Sequence, residues 1–219
     1  MRSHLTFVAD AILSVVLAPR CADCERVLAR PTTGPLCPAC WSAVAVITPP
    51  VCDTCGDPLA SWRISDHTHA RCARCRRTSG AIDHGRAVGE YRGQLQRIIH
   101  LFKYEGRRSL AWELGQRMRR HGADLLAGAD CVVPVPLHPR RRYSRGFDQA
   151  ALLAAQLGLP VVHALSRVRN TPSQTRLPAA QRHRNVRDAF AMVPRRRWSA
   201  RLLGNGGRRG RDPGSLAGC

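Results

Sequence analysis

Lysine is all but missing from this chain: Lys103 is the only one, so its 35 basic side chains are almost all arginine. Acids are scarce too, 15 against those 35, and the formal net charge is +20. Aromatic residues make up 5% of the 219 positions, although 44% are apolar. The apolar fraction excludes a disordered chain, while the few rings leave little on which nucleobases could stack. No stretch approaches the roughly 20 apolar residues of a membrane-spanning helix. The apolar run at residues 5–17 is broken by Asp10 and lacks a small-residue cleavage site after it. Residues 1–19 therefore read as an amphipathic helix, with Ile12, Val15 and Val16 on one side, and not as a signal peptide. Without an export signal the expected compartment is the cytoplasm, where cysteines serve as metal ligands more often than as disulfides.

The length accommodates one medium domain and a small module. A field as positive as this favours polyanions, whether nucleic acid, phosphate esters or anionic lipid headgroups. The plainer reading is a codon bias toward arginine, which is also a good helix former.

Eight of the ten cysteines fall into four Cys-x2-Cys pairs. Cys21/Cys24 and Cys37/Cys40 are twelve residues apart; Cys52/Cys55 and Cys72/Cys75 are sixteen apart. Each pair aims two thiolates at one point, and two pairs make the tetrahedral sulfur shell of structural zinc, with no position open for water. Residues 20–79 therefore read as a double zinc ribbon holding one or two zinc ions. Sequential pairing is the simpler arrangement and an interleaved one stays open. Gly56 relieves the turn after Cys55. His67 and His69 are either exposed loop residues or substitutes for a cysteine. Arg71, Arg74, Arg76 and Arg77 form a basic patch, read as a solvated rim or a docking surface for DNA.

Beyond the cysteines, residues 81–90 read as a short strand. Leu95, Ile98, Ile99 and Phe102 have helical spacing, which predicts an amphipathic helix over residues 93–104 ended by Glu105 and Gly106. A second helix starts near Ser109 and presents Leu110, Leu114 and Met118. Cys131, Val132 and Val133 read as a buried strand leading into the run VPVPLHPRRRYSRGF at residues 133–147. A strand, a basic glycine turn and a helix in that order suit a phosphate: backbone N–H groups and guanidinium forks surround one anion. Arg145 and Gly146 lead as phosphate contacts, with Arg141 and Arg142 behind them. Asp148, in the first helical turn, opposes an anion bound there.

The run at residues 133–150 resembles the signature of the ComF family, whose members join zinc ribbons to a phosphoribosyltransferase-like domain. Leu101, Phe102, Lys103 and Tyr104 are similar to that family as well. So are Arg167, Thr171, Gln174, Leu177, Arg182, Asn185, Val186 and Phe190, and the likeness covers roughly residues 15–193. Asp148 stands where relatives commonly carry asparagine. The resemblance implies an α/β fold: a type I phosphoribosyltransferase-like parallel sheet over residues 80–194, incomplete at its C-terminus. It also implies a mobile loop over the pyrophosphate, to which Gln174, Arg182 and Asn185 would belong.

Phosphoribosyl transfer in such proteins uses two adjacent carboxylates on the ribose and a threonine- and glycine-rich turn on the phosphate. Residues 195–219 read instead as a basic, disordered tail with Asp212 as their sole acid. This abrupt change reads as a truncated or frame-shifted gene. The resemblance thus implies a cytoplasmic factor assisting DNA uptake, peripheral to the inner face of the membrane, with weak or lost transfer and no catalytic residues assigned. Its partners would be single-stranded DNA, uptake-machinery proteins or phosphoribosyl pyrophosphate, the last with magnesium if activity is retained. Two other readings stand beside it: a zinc-ribbon module binding nucleic acid or protein, and a non-functional remnant.

Overall fold

The computed structural model describes residues 4–60, 70–77, 82–174, 177–194, 198 and 200–201. His67, His69 and most of the tail, including Asp212, lie outside these residues. Packing divides the chain into two units, Met1–Ala127 and Gly128–Cys219.

The first unit opens with helix α1, His4–Leu17. Its polar side is the packed one. Asp10 is buried, and its Oδ1 accepts from the Thr32 backbone N–H at 2.9 Å and the Thr32 hydroxyl at 2.6 Å. Ser14 Oγ donates to the Leu28 carbonyl at 3.2 Å. Ile12, Val15 and Val16 face solvent, the reverse of a normal surface helix. Helix α2, Pro38–Ser42, starts at Cys37 with Pro38 in its first turn, and α3 spans Ala73–Arg77.

Helix α4, Gly93–Tyr104, has the bounds its periodicity predicts and buries Leu95, Ile98, Leu101 and Phe102. Helix α5, Leu110–His121, buries Leu110, Ala111 and Leu114, and α6 follows at Ala123–Ala127. The Arg117 guanidinium lies 4.5 Å from the centre of the buried Trp41 ring, so α5 reaches the end of the first ribbon. Burial lowers the pKa of Arg117, an effect opposed by Glu113. The chain leaving the second ribbon closes the unit: Val46 bridges Gly89 and the Glu90 N–H donates to the Ala45 carbonyl at 3.0 Å.

In the second unit an extended stretch runs from Val132 to helix α7, Pro139–Arg145. The basic turn expected here is a helix. Pro139 occupies its first turn, and His138 Nδ1 accepts from the Arg140 N–H at 3.3 Å. Gly146 ends α7 with a left-handed φ of 71°, where glycine carries no Cβ penalty. Helix α8, Gln149–Ala154, follows directly. Strand β1, Val161–Val162, pairs antiparallel with β4, Ala200–Arg201, while β2, Leu165–Arg167, pairs antiparallel with β3, Phe190–Met192. Between the latter two strands lies α9, Ala179–Val186. Among the described residues of this unit, Phe147, Ala154, Val161, Val162, Ala164 and Ala189 are the buried apolar ones.

The phosphoribosyltransferase-like parallel sheet is not seen among the described residues. What stands in its place is helices, two two-stranded antiparallel pairs and one parallel bridge, Val132 to Val161. Pro134 and Pro136 lack the N–H groups that would extend that bridge into a ladder. Within the strand expected at residues 81–90, Ala81 lies outside the described residues and only Gly89 makes a bridge. Among the described residues no helix is long and apolar enough to cross a membrane.

Candidate metal centres and basic segment

Two sulfur clusters form, each from consecutive Cys-x2-Cys pairs: Cys21, Cys24, Cys37 and Cys40, then Cys52, Cys55, Cys72 and Cys75. Within each, all four Sγ atoms lie within 4.8 Å of one another. The sulfurs are 3.7 Å apart for Cys21 and Cys40, 3.6 Å for Cys24 and Cys37 and 3.7 Å for Cys55 and Cys72. This geometry selects sequential pairing and two ions instead of one.

The local fold prepares sulfur for a metal. Burial opposes ionisation of Cys21, but backbone N–H groups at Cys24, Cys37 and Asp23 outweigh it and bring its thiol down to about 6. Cys52 is likewise brought down to about 6, against burial, chiefly by N–H groups at Cys72 and Cys55. Cys40, Cys55 and Cys75 resist. Burial and the neighbouring sulfurs push Cys75 up to about 12, and burial with the Asp23 carboxylate pushes Cys40 strongly up. Four thiols crowded at one point cannot all ionise against each other, and a soft divalent cation removes that conflict. The residues therefore fit two structural zinc ions.

Protons compete with zinc for the same sulfurs. Cys21 and Cys52 are depressed from 9.0, so the stabilisation from their thiolates is full above about 9 and is lost as pH falls through about 6. Bound zinc competes with those protons, so the metal is expected to leave on acidification at a pH below about 6, read with a colorimetric chelator; release indifferent to pH would contradict the thiolate assignment.

Gly56 follows Cys55 with φ of 73°, and a Cβ there would come 2.6 Å from the Gly85 carbonyl oxygen. The glycine thus lets the knuckle sit directly against the returning chain. Asp23, inside the first knuckle, ties it to α4. Its carboxylate accepts from Gln94 Nε2 at 2.8 Å and from Arg97 Nε at 2.8 Å, while Cys40 Sγ lies 3.2 Å away. Burial resists its ionisation, but the bonds from Gln94, Cys40 and Arg97 prevail and hold its carboxyl below the usual range. A four-thiolate zinc site is doubly negative, and Arg97 neutralises the Asp23 carboxylate that would otherwise add to that charge. Asp23→Ala strands the buried Gln94 amide, and the expected loss is about 1–3 kcal/mol by urea unfolding. A change inside the error of the extrapolation would show that the link is dispensable.

The basic rim of the second ribbon is partly committed. Arg74 pairs with Asp57 at 2.9 Å, and Arg76 Nη1 donates to the Arg71 carbonyl at 3.1 Å.

In the second unit, Arg141 lies on α7 and its Nη2 donates to the Thr171 carbonyl. Arg142 is exposed. Arg145 Nη1 donates to Gln149 Oε1 at 3.1 Å, and Gly146 is the left-handed cap between them. Arg182 and Asn185, on α9, hold the loop expected to be mobile: Arg182 Nε donates to the Leu177 carbonyl at 3.1 Å, and Asn185 Nδ2 to the Pro172 carbonyl at 3.1 Å. Gln174 is exposed. Asp148 caps α8, its Oδ1 accepting from Ala150 and Ala151 N–H groups at 3.0 and 3.2 Å, and its Oδ2 from the Leu137 N–H at 3.1 Å. The carboxylate thus takes the helix-terminal donors that were expected to face a phosphate.

Arg167 and Gln149 carry more of this region than sequence reasoning assigned them. Arg167 Nη2 donates to Thr171 Oγ1 at 2.6 Å, and its guanidinium packs 5.3 Å from the Phe190 ring centre. Two guanidinium groups therefore converge on Thr171, and among the described residues no carboxylate pairs with either. Burial first, and then the charge of Arg141, lower the pKa of Arg167. Arg167 Nε and Gln149 Nε2 are buried donors without partners. The signal for Arg167 and Thr171 was their place in the family pattern; nothing local marked Gln149.

Comparisons with known proteins follow the cysteine pattern. The double zinc ribbon domain profile matches residues 12–76. Competence protein F of Haemophilus influenzae is 28% identical over 187 residues, spanning 80% of this chain and 76% of that protein. The DNA utilization protein YhgH of Escherichia coli is 30% identical over 185 residues, 78% of this chain and 77% of that one. Competence protein ComFC of Bacillus subtilis is 29% identical over 142 residues, 62% of this chain and 56% of its own. No solved structure matches the chain.

Proposed function

The chain belongs to the family of competence protein F and the DNA utilization protein YhgH, and from that membership we propose that it handles DNA, binding single strands through arginines of its second unit. The zinc ribbons hold structure and take no part in chemistry. The observation that carries the reading is the pair Arg141 and Arg167, both held against Thr171 without a carboxylate partner among the described residues. Like charges gathered this way are relieved by a phosphate oxyanion. Arg142, Arg145 and Arg182 add positive charge along α7 and α9, and a flexible single strand can follow such a surface without base readout.

The test is a fluorescence-anisotropy titration of the zinc-loaded protein with an unstructured oligonucleotide at two salt concentrations. Roughly four phosphate contacts imply affinity falling about 50-fold between about 50 and about 200 mM salt. Arg167→Ala should weaken binding and flatten that slope. Affinity indifferent to salt, or to loss of Arg167, would refute the assignment.

A second reading draws on the parallel bridge from Val132 to Val161, which encloses α7 and α8 as a crossover of the phosphoribosyltransferase kind. On it, the same arginines with Gly146, Gln174 and Asn185 take the diphosphate of phosphoribosyl pyrophosphate together with magnesium. Residues 194–219 supply one acidic side chain, Asp212, so the binding expected here is of the diphosphate and not of the ribose. Magnesium-dependent binding of the sugar diphosphate that displaces the oligonucleotide would favour this reading over the first.

A further inference from the structure

Helix α1 carries an apolar side on which none of the described residues packs closely. Phe7, Val8, Ile12, Val15 and Val16 are 75%, 53%, 57%, 84% and 72% exposed. With Ala11 between them, they fill one half of the helix circumference at 100° per residue. The opposite half carries the buried Asp10 and the half-buried Ser14, fastened to Thr32 and Leu28. This orientation is held by hydrogen bonds. A rotation that hid the valines would break three of them and strand the Asp10 carboxylate.

We propose that this face seats α1 in the boundary between headgroups and acyl chains of an anionic lipid bilayer, with the helix axis lying in the bilayer plane. Length fits lying and not crossing: 14 residues make a helix of about 21 Å, short of the roughly 30 Å hydrocarbon core. Charge selects the occupant. A second copy would bring another +20 against the first and repel it. An anionic surface attracts the chain, and the segment after α1 offers Arg20, Arg26 and Arg30, all exposed. The acids nearby are largely committed: Asp10 to Thr32 and Asp23 to Gln94 and Arg97, leaving Glu25 in solvent. Helix α1 itself carries no lysine or arginine, so the attraction to anionic headgroups comes from the segment that follows it and from the net charge of the chain. The inference uses none of the residues assigned to DNA, so the two stand or fall apart.

The experiment is flotation of the full, zinc-loaded chain with vesicles of phosphatidylglycerol and phosphatidylethanolamine, against vesicles of pure phosphatidylcholine. The wild-type protein should float with the anionic vesicles and far less with the neutral ones. The double variant Val8→Asp, Val15→Asp should lower partitioning roughly tenfold or more. Both positions are exposed, so zinc content and melting temperature should not change, which separates lost binding from lost folding. High salt should weaken flotation without abolishing it, because the apolar contact remains. The proposal is overturned if the wild type does not float, or if the variant floats equally well, since arginine charge alone would then explain binding. A concentration-dependent dimer that dissolves on V15D, without vesicle binding, would assign the face to a second copy instead.

Discussion

Stripping both zinc ions will unfold the first unit, and no other perturbation should have a larger effect. Structural zinc contributes about 10–16 kcal/mol per site in small ribbons, against about 5–15 kcal/mol for the net stability of an ordinary domain. The ribbons have little else to hold them. Apart from the cysteines, their buried apolar side chains among the described residues are Leu28, Leu36, Trp41 and Val44. Chelation should abolish the cooperative thermal transition of this unit, and re-addition of zinc should restore it. Cys52→Ser should reproduce the loss at its own cluster, because Cys52 is fully buried and its sulfur accepts from the Cys72 N–H at 3.3 Å. An unchanged melting curve in protein proven free of zinc would show that the sulfurs are not what holds the ribbons.

The second large effect is in the helices behind them. Phe102 is 1% exposed on α4 and lies among the most deeply buried side chains, with Ile98 and Leu110. Phe102→Ala removes a ring that water does not reach and leaves a cavity, at an expected cost of about 3–5 kcal/mol in urea unfolding. Trp112→Ala is the control: that ring is largely exposed on α5 and should change stability by no more than about 0.5 kcal/mol. Equal losses at the two positions would mean that the core has been misplaced.

Legibility followed the range of the interactions. The cysteine pairs and α4 could be read because each is a local code, a ligand spacing in one case and a 3.6-residue periodicity in the other. The direction of α1 could not. Periodicity finds the apolar side of a helix, but the packed side was chosen by one carboxylate, Asp10, reaching Thr32 across 22 residues. Helix α7 was hidden because a run of arginine before glycine looks like a turn. Its signals were Pro139 in the first turn, His138 as the cap and Gly146 as the stop. The sheet failed for the opposite reason: short apolar runs name candidate strands without naming partners, and here Val161 and Val162 meet Ala200 and Arg201 in antiparallel register. Among the basic residues, type and spacing marked a phosphate-seeking region. They did not show that Asp148 would claim the helix-terminal N–H groups, or that Arg182 and Asn185 would each bond a loop carbonyl.

The stacking of Arg117 on Trp41, with the Val46 to Gly89 bridge, bears on how this protein can be dissected. A fragment cut just after Cys75 would leave an indole and a β-bridge edge without their covers, and would invite precipitation even with both metals bound. The smallest piece worth expressing runs through Ala127, so that the metal-bearing half travels with the helices that serve as its floor.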